Sequence, residues 1–230
     1  TIAENSTVNT VVGTLSATDE DDSDTHSFTL GGTDSGKFKV IDDNGVKKLA
    51  LNSGVTLDYE GGTTSYDITV TATDSGNETT SSATPFTITV GDVNEAPVIT
   101  GTAVSFDENV TGEVVYNLSA SDVDGDTLDY SLSGADAAKF EVIDDGGKKL
   151  ALKSGESLDH EDGGYNVTVT VEDDGSSGHM SDFIDLTITA DDVNEAPTAV
   201  TLVGDTIAEN STVNTVVGTL SATDEDDSDT

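Results

Sequence analysis

The residues able to do chemistry in this chain are carboxylates, set in pairs two apart and in short acidic runs that recur at near-constant distance. Asp92-Val93-Asn94-Glu95-Ala96-Pro97 returns 100 residues later as Asp192-Val193-Asn194-Glu195-Ala196-Pro197. Asp58-Tyr59-Glu60 is answered by Asp159-His160-Glu161, and Asp19-Glu20-Asp21 by Asp122-Val123-Asp124 and Asp224-Glu225-Asp226. Glu4, Glu108, Asp74 and Asp173 stand singly beside these runs. The chain has no cysteine, and His26, His160 and His179 are isolated from one another, so thiolate sites and a histidine-based triad are excluded. A cation taking six to eight hard oxygens from several loops is the chemistry left, which selects Ca2+ over Mg2+ or Zn2+.

Charge makes the same demand. Asp and Glu number 46 against 8 Lys and Arg, a formal net charge of −38. That field repels nucleic-acid phosphate and anionic membrane alike. It also pushes a compact state apart, so the segment is either disordered or neutralised by cations. Period-two runs such as Tyr66-Asp67-Ile68-Thr69-Val70-Thr71-Ala72 decide for a folded, cation-neutralised chain. No apolar run reaches the ~18 residues of a membrane span.

Short strands must position the carboxylates. In the first repeat the pattern predicts strands over 11–18, 26–30, 37–41, 47–51, 66–73 and 85–90. In the second it predicts 98–105, 114–121, 127–133, 139–143, 148–152, 165–172 and 183–190. Lys37-Phe38-Lys39-Val40-Ile41-Asp42-Asp43 aligns with Lys139 to Asp145, and Lys47 to Leu51 with Lys148 to Leu152. The fold expected is all-β: tandem seven-stranded Greek-key β-sandwiches of immunoglobulin-like type joined by short calcium-binding linkers. The domains expected are 1–97, a first repeat truncated at its N-terminus; 98–197, a complete second repeat; and 198–230, the opening of a third. Thr206 to Thr230 repeats Thr1 to Thr25 residue for residue, so the chain reads as an excerpt of a longer array.

Strand parity then sorts the acidic groups by pole. Glu4, Asp58 and Glu60 fall beside the Asp92 linker, and Asp122, Asp124 and Asp173 face it from the next repeat. Together with Asp92, Asn94 and Glu95 they form one expected junction. Within each pair, residues two apart on an extended segment point the same way, so Asp58 with Glu60 and Asp122 with Asp124 should act as pincers.

These motifs resemble those of the cadherin family, in particular the cadherin-like tandem repeats of large bacterial surface proteins and adhesins. Ala3-Glu4-Asn5, Asp107-Glu108-Asn109 and Ala208-Glu209-Asn210 resemble the family's Xaa-Glu-Asn, and Asp58-Tyr59-Glu60 and Asp159-His160-Glu161 its Asp-Arg-Glu. Asp92 to Ala96 is similar to its Asp-Xaa-Asn-Asp-Asn linker, with Glu95 for Asp and Ala96 for the last Asn. The resemblance implies up to three Ca2+ per junction, with main-chain oxygens of Val93 and Ala96, and of Val193 and Ala196, contributing. It implies a second junction of Glu108, Asp159, Glu161, Asp192, Asn194, Glu195, Asp224 and Asp226, and a half-site of Asp19, Asp21 and Asp74. The function implied is an extracellular, cell-surface, calcium-stiffened rod, either adhesive or a passive spacer, and not an enzyme. Its partners would be neighbouring repeats, identical chains or a polysaccharide or cell surface. Residues 198–230 hold two strands, too few for a core, and are expected to be disordered or held by a neighbouring chain, whose first repeat they could complete.

Three other signals are set aside. Asp34-Ser35-Gly36 and Asp74-Ser75-Gly76 echo aspartic-protease motifs without the flanking apolar residues. Asp122 to Asp126 resembles an EF-hand loop but lacks its glutamate. The Asn-Xaa-Ser/Thr triplets at Asn5, Asn77, Asn109, Asn117, Asn166 and Asn210 arise easily in a Ser/Thr-rich chain.

Overall fold

The computed structural model describes residues 1–20, 24–76, 78–81 and 85–226. They fall into two compact units, Thr1–Glu95 with Gly175–Gly178, and Ala96–Asp174 with His179–Thr230. Both are built of strands, with no α-helix among the described residues. Asp21 and Asn77 lie outside the described residues.

In the first unit one sheet contains β1 (Ile2–Ala3), β8 (Phe86–Gly91), β6 (Ser65–Thr73) and β3 (Ser27–Gly31) in that order, with β7 (Thr79–Ser81) paired to β6. The other sheet runs β2 (Val11–Thr14), β5 (Val46–Leu51), β4 (Phe38–Asp43). Strand β6 alternates as its sequence requires, burying Tyr66, Ile68, Val70 and Ala72 while Asp67 faces out.

The second unit repeats this plan with a fuller complement. A four-stranded sheet runs β12 (Phe140–Asp144), β13 (Lys148–Leu152), β10 (Val114–Ser121), β9 (Val98–Ala103), and a three-stranded sheet runs β11 (Leu128–Ser133), β14 (Tyr165–Asp173), β15 (Ser181–Ile188). Inward side chains of both sheets, among them Ile99, Leu118, Phe140, Leu150, Val169 and Leu186, form one core. At about 1.5–3 kcal/mol for each large side chain taken from water, that core is the main force holding the layers together. The first unit's core is thinner: Val12 and Leu15 are only partly buried, where their counterparts Val115 and Leu118 are 1% and 7% exposed.

Strands β16 (Ala199–Val203) and β17 (Thr219–Thr223) form an antiparallel pair with every residue exposed. Through residue 226 the two strands expected in this stretch therefore pair with each other, with no core beneath them. The sequence reading found the seven strands β9 to β15 but missed the short β1 and β7. Two and three residues long, they carry too little alternation to be seen.

Candidate metal centres at the strand ends

The first centre forms around Glu4, which follows β1. β1 runs parallel to the end of β8, pairing Ile2 with Val90 and Ala3 with Gly91, and this delivers the chain beside the start of the linker. Glu4 is 3% exposed, and its carboxylate accepts from two backbone amides, Val93 N at 2.8 Å and Tyr59 N at 2.7 Å. Carboxylate oxygens of Glu4, Glu60 and Asp92 come within 4.8 Å of one another. Asp58 closes the adjoining turn, accepting from Gly61 N at 2.7 Å, and Asn94 donates its amide to the Glu95 carbonyl at 3.4 Å.

The second unit builds the same arrangement. Glu108, 3% exposed, accepts from Val193 N at 2.8 Å and His160 N at 2.7 Å. Its neighbours Asp159 and Glu161 supply oxygens within the same 4.8 Å. Asn194 donates to the Glu195 carbonyl at 2.7 Å, and Glu195 N donates to Asp226, itself buried, at 2.8 Å. Asp192, Val193, Ala96 and Ala196 are exposed at their linkers. Glu195 Oε2 and Asp224 Oδ1 are buried and accept no hydrogen bond.

Further carboxylates gather at other strand ends. Asp122, Asp124 and Asp126 form one cluster, in which Asp122 Oδ2 is buried without a donor. Asp173 continues the inward parity of β14 past Val171 and is 2% exposed, its Oδ1 accepting from Met180 N at 3.1 Å. In the first unit Asp19, Asp24 and Asp74 cluster likewise, and His26 Nε2 lies 3.2 Å from Asp19.

Of the two pincers expected from extended backbone, the pair Asp122 and Asp124 is gathered by a tight turn, Asp122 Oδ1 accepting from Asp124 N at 2.9 Å. In the other, Asp58 Oδ1 accepts from Gly61 N. Asp159 Oδ1 accepts from Glu161 N at 2.9 Å, in a turn like that at Asp122. Asp34, set aside as a catalyst, is a structural acceptor for Asp67 N at 2.9 Å.

The sequence reading assigned no role to the asparagines that follow the two glutamates. Asn5 and Asn109 sit at φ of 54° and 60°, the left-handed region that asparagine tolerates better than other residues with a side chain. Their amides donate to the linker carboxylates, Asn5 to Glu95 and Asn109 to Glu195, the latter at 2.7 Å. Asp24 and Asp126 join the carboxylate clusters too, although the sequence reading left both out of its ligand sets.

Like-charge crowding shows in the protonation of these groups. Glu195 is raised above the usual glutamate value by burial and by the charges of Glu108 and Asp226. Glu161 is raised by burial and by Asp159 and Glu108, and Asp126 by burial and by Asp122 and Asp174. A carboxyl raised on folding favours the folded state when protonated, and that contribution is lost as pH rises through its folded-state value. Ion-free protein should therefore gain stability from these groups as pH falls toward the ordinary carboxylate range. With saturating calcium the sign reverses, because protons then compete with the ion. His160, raised by its bond to the Ala190 carbonyl, and His179, raised by Glu172, also favour the folded state on acidification. The informative quantity is the difference between thermal midpoints in chelator and in calcium, which should narrow from pH 7 to pH 5. A constant difference would exclude these carboxylates as ligands.

Residues 1–91 match the sequence profile of the cadherin domain. The chain belongs to the cadherin family. It is 32% identical to Protocadherin-16 of Mus musculus over 93% of its length and 30% identical to the protocadherin-like wing polarity protein stan of Drosophila melanogaster over 98%. This cadherin chain spans only 7% of each of those relatives. Among solved structures, Protocadherin Gamma B2 extracellular cadherin domains 3-6 superpose with a TM-score of 0.68 at 22% identity, covering 97% of this chain and 53% of that one. The Protocadherin gammaB7 EC3-6 cis-dimer gives 0.62 at 26% identity, covering 97% and 53%. Mouse Cadherin-23 EC22-24 gives 0.64 at 23%, covering 97% and 73%. The architecture is thus that of tandem extracellular cadherin domains.

Proposed function

We propose that this cadherin chain is a run of extracellular, cell-surface repeats, bounded at 1–97, 98–197 and 198–230, which Ca2+ stiffens into a rod serving adhesion. The observation that carries the reading is the pairing of a buried glutamate with a linker. Glu4 and Glu108 are each held by two amides, one from the linker itself, with further carboxylates within ligand distance. Bound Ca2+ would supply the positive charge that these groups lack. The residues that would hold it are Glu4, Asp58, Glu60, Asp92 and Glu95 at one linker, with Asp122, Asp124 and Asp173 a separate group within the second unit. At the other they are Glu108, Asp159, Glu161, Asp192, Glu195, Asp224 and Asp226. The buried, donorless oxygens of Glu195, Asp224 and Asp122 suit a cation, because such groups are costly unless paired. The histidines and Asp34 have structural partners, which favours a binding role over a catalytic one.

Neighbouring repeats and identical chains are the partners this reading names. The resemblance at 26% identity to a protocadherin described as a cis-dimer supports the second. Beads coated with the chain should cluster in millimolar calcium and disperse in chelator. Calcium binding by calorimetry without bead clustering would leave a stiffened spacer in place of an adhesive one, and absence of calcium binding would end the reading.

A further inference from the structure

The hairpin that joins β4 to β5 carries a reactive pair at its tip. Asp43 pairs with Val46, so the loop between them is Asn44 and Gly45, and both are exposed. Their φ angles of 55° and 85° are both positive, as a type I′ turn requires, and asparagine followed by glycine is the sequence such a turn favours. It is also the dipeptide in which a side-chain amide is most open to attack by the backbone, because glycine has no side chain to shield its neighbour. Asn44-Gly45 is the one Asn-Gly in the sequence.

The reaction is a ring closure followed by hydrolysis. Deprotonated Gly45 N bonds to Asn44 Cγ, the Cγ–Nδ2 bond breaks, and Nδ2 leaves as ammonia, its added proton replacing the one that Gly45 N gave up to solvent. Water then opens the succinimide at either carbonyl and leaves aspartate or isoaspartate at position 44. In isoaspartate the main chain runs through Cγ, which adds a backbone atom to the loop. The loop then no longer matches the turn that sets the register of β4 on β5.

The folded hairpin opposes this reaction at both reacting atoms. Gly45 N donates to Asp42 Oδ1 at 2.8 Å, and Asn44 Nδ2 donates to Asp43 Oδ1 at 3.0 Å. A nitrogen that donates to a carboxylate is held in its protonated form, because removing the proton would set two negative charges side by side. Asp42 is itself kept ionised, since Lys47 Nζ at 2.6 Å and the Gly45 amide hold its carboxyl below the usual range. We infer that Asn44 is a deamidation site restrained by Asp42, and that opening of the β4–β5 tip releases its conversion to isoaspartate.

The second unit's hairpin lacks the site. Between β12 and β13 it has Gly146 and Gly147 in place of Asn44-Gly45-Val46. Asp145 precedes Gly146, but Lys149 at 2.9 Å keeps its carboxyl ionised, and an ionised carboxylate resists attack by an amide nitrogen. The modification therefore falls on one repeat and spares the other.

Peptide mapping of the full chain by mass spectrometry, after storage in mildly alkaline, calcium-containing buffer with and without urea, tests the inference. Position 44 should convert from amide to acid in urea, and at least about tenfold more slowly in the folded chain, the factor that one hydrogen bond to a charged group represents. Asp42→Ala should raise the folded rate by about the same factor and leave the rate in urea unchanged. Asp42→Asn, which keeps an acceptor oxygen without the charge, should fall between the two and decides the matter if the alanine variant does not fold. Equal rates with and without urea, no conversion in either, or Asp42 variants that convert as slowly as the folded wild type would each overturn the proposal.

Discussion

Replacing Glu108 by alanine should lower the stability of the second repeat by about 3 kcal/mol, even with chelator present. The carboxylate is 3% exposed and holds the amides of Val193 and His160. Removing it loses two charge-assisted hydrogen bonds, worth roughly 1.5–3 kcal/mol each, and the low end applies because Val193 and His160 are surface residues whose amides water can reach. For a repeat of about 100 residues this is a midpoint drop on the order of 15 °C. Glu108→Gln keeps one carbonyl oxygen and should lose about half as much. Adding calcium separates the two roles of the side chain: wild type should be stabilised further, and both variants less so. An alanine variant as stable as wild type in chelator would show that the clamp bears no weight. Equal gains from calcium in all three proteins would remove Glu108 from the ligand set.

Withdrawal of calcium from the unaltered chain should produce the second large effect. At tenfold above a dissociation constant of ~10⁻⁴ to 10⁻³ M, each bound ion contributes about 1.4 kcal/mol. Two or three ions at a linker would then amount to roughly 3–4 kcal/mol, a sizeable share of the 5–15 kcal/mol typical of a domain. Without them, the net charge of −38 drives the acidic strand ends apart. Small-angle scattering should report a shorter maximum dimension and a broader distance distribution in chelator, and calorimetry a lower midpoint. Scattering curves that superpose with and without calcium would eliminate stiffening as the mechanism.

Much of this was legible in residue order, for reasons that differ from element to element. Strand β14 was visible because Tyr165, Val167, Val169 and Val171 alternate with polar residues, and the same parity carried on to the buried Asp173. The grouping of Glu4 with Glu60 followed from strand direction, and that of Glu108 with Glu161 from the resemblance of their motifs to the family's. What stayed hidden depended on backbone geometry. Turn hydrogen bonds gather the pairs at Asp122 and Asp159, and a left-handed backbone turns Asn5 and Asn109 toward the linker glutamates. Alternation says nothing about either. Two strands are expected in residues 198–230 and β16 and β17 are those two, but their pairing with each other is not written in the pattern. Their residues bury no core, and Ser221 to Thr223 is paired where the identical Ser16 to Thr18 lies in no strand, so the partner decides the structure.

The clamp on the linker also bears on how such a chain would answer a mechanical load. With Val193 tied to Glu108, and Glu195 to Asn109 and Asp226, the stretch free to pay out on ion loss is about two residues, Ala196 and Pro197. That is less than about 1 nm of extension, whereas unravelling a sandwich of about 100 residues would release on the order of 30 nm. Under tension, calcium would therefore govern how easily the chain bends while leaving its contour length almost untouched.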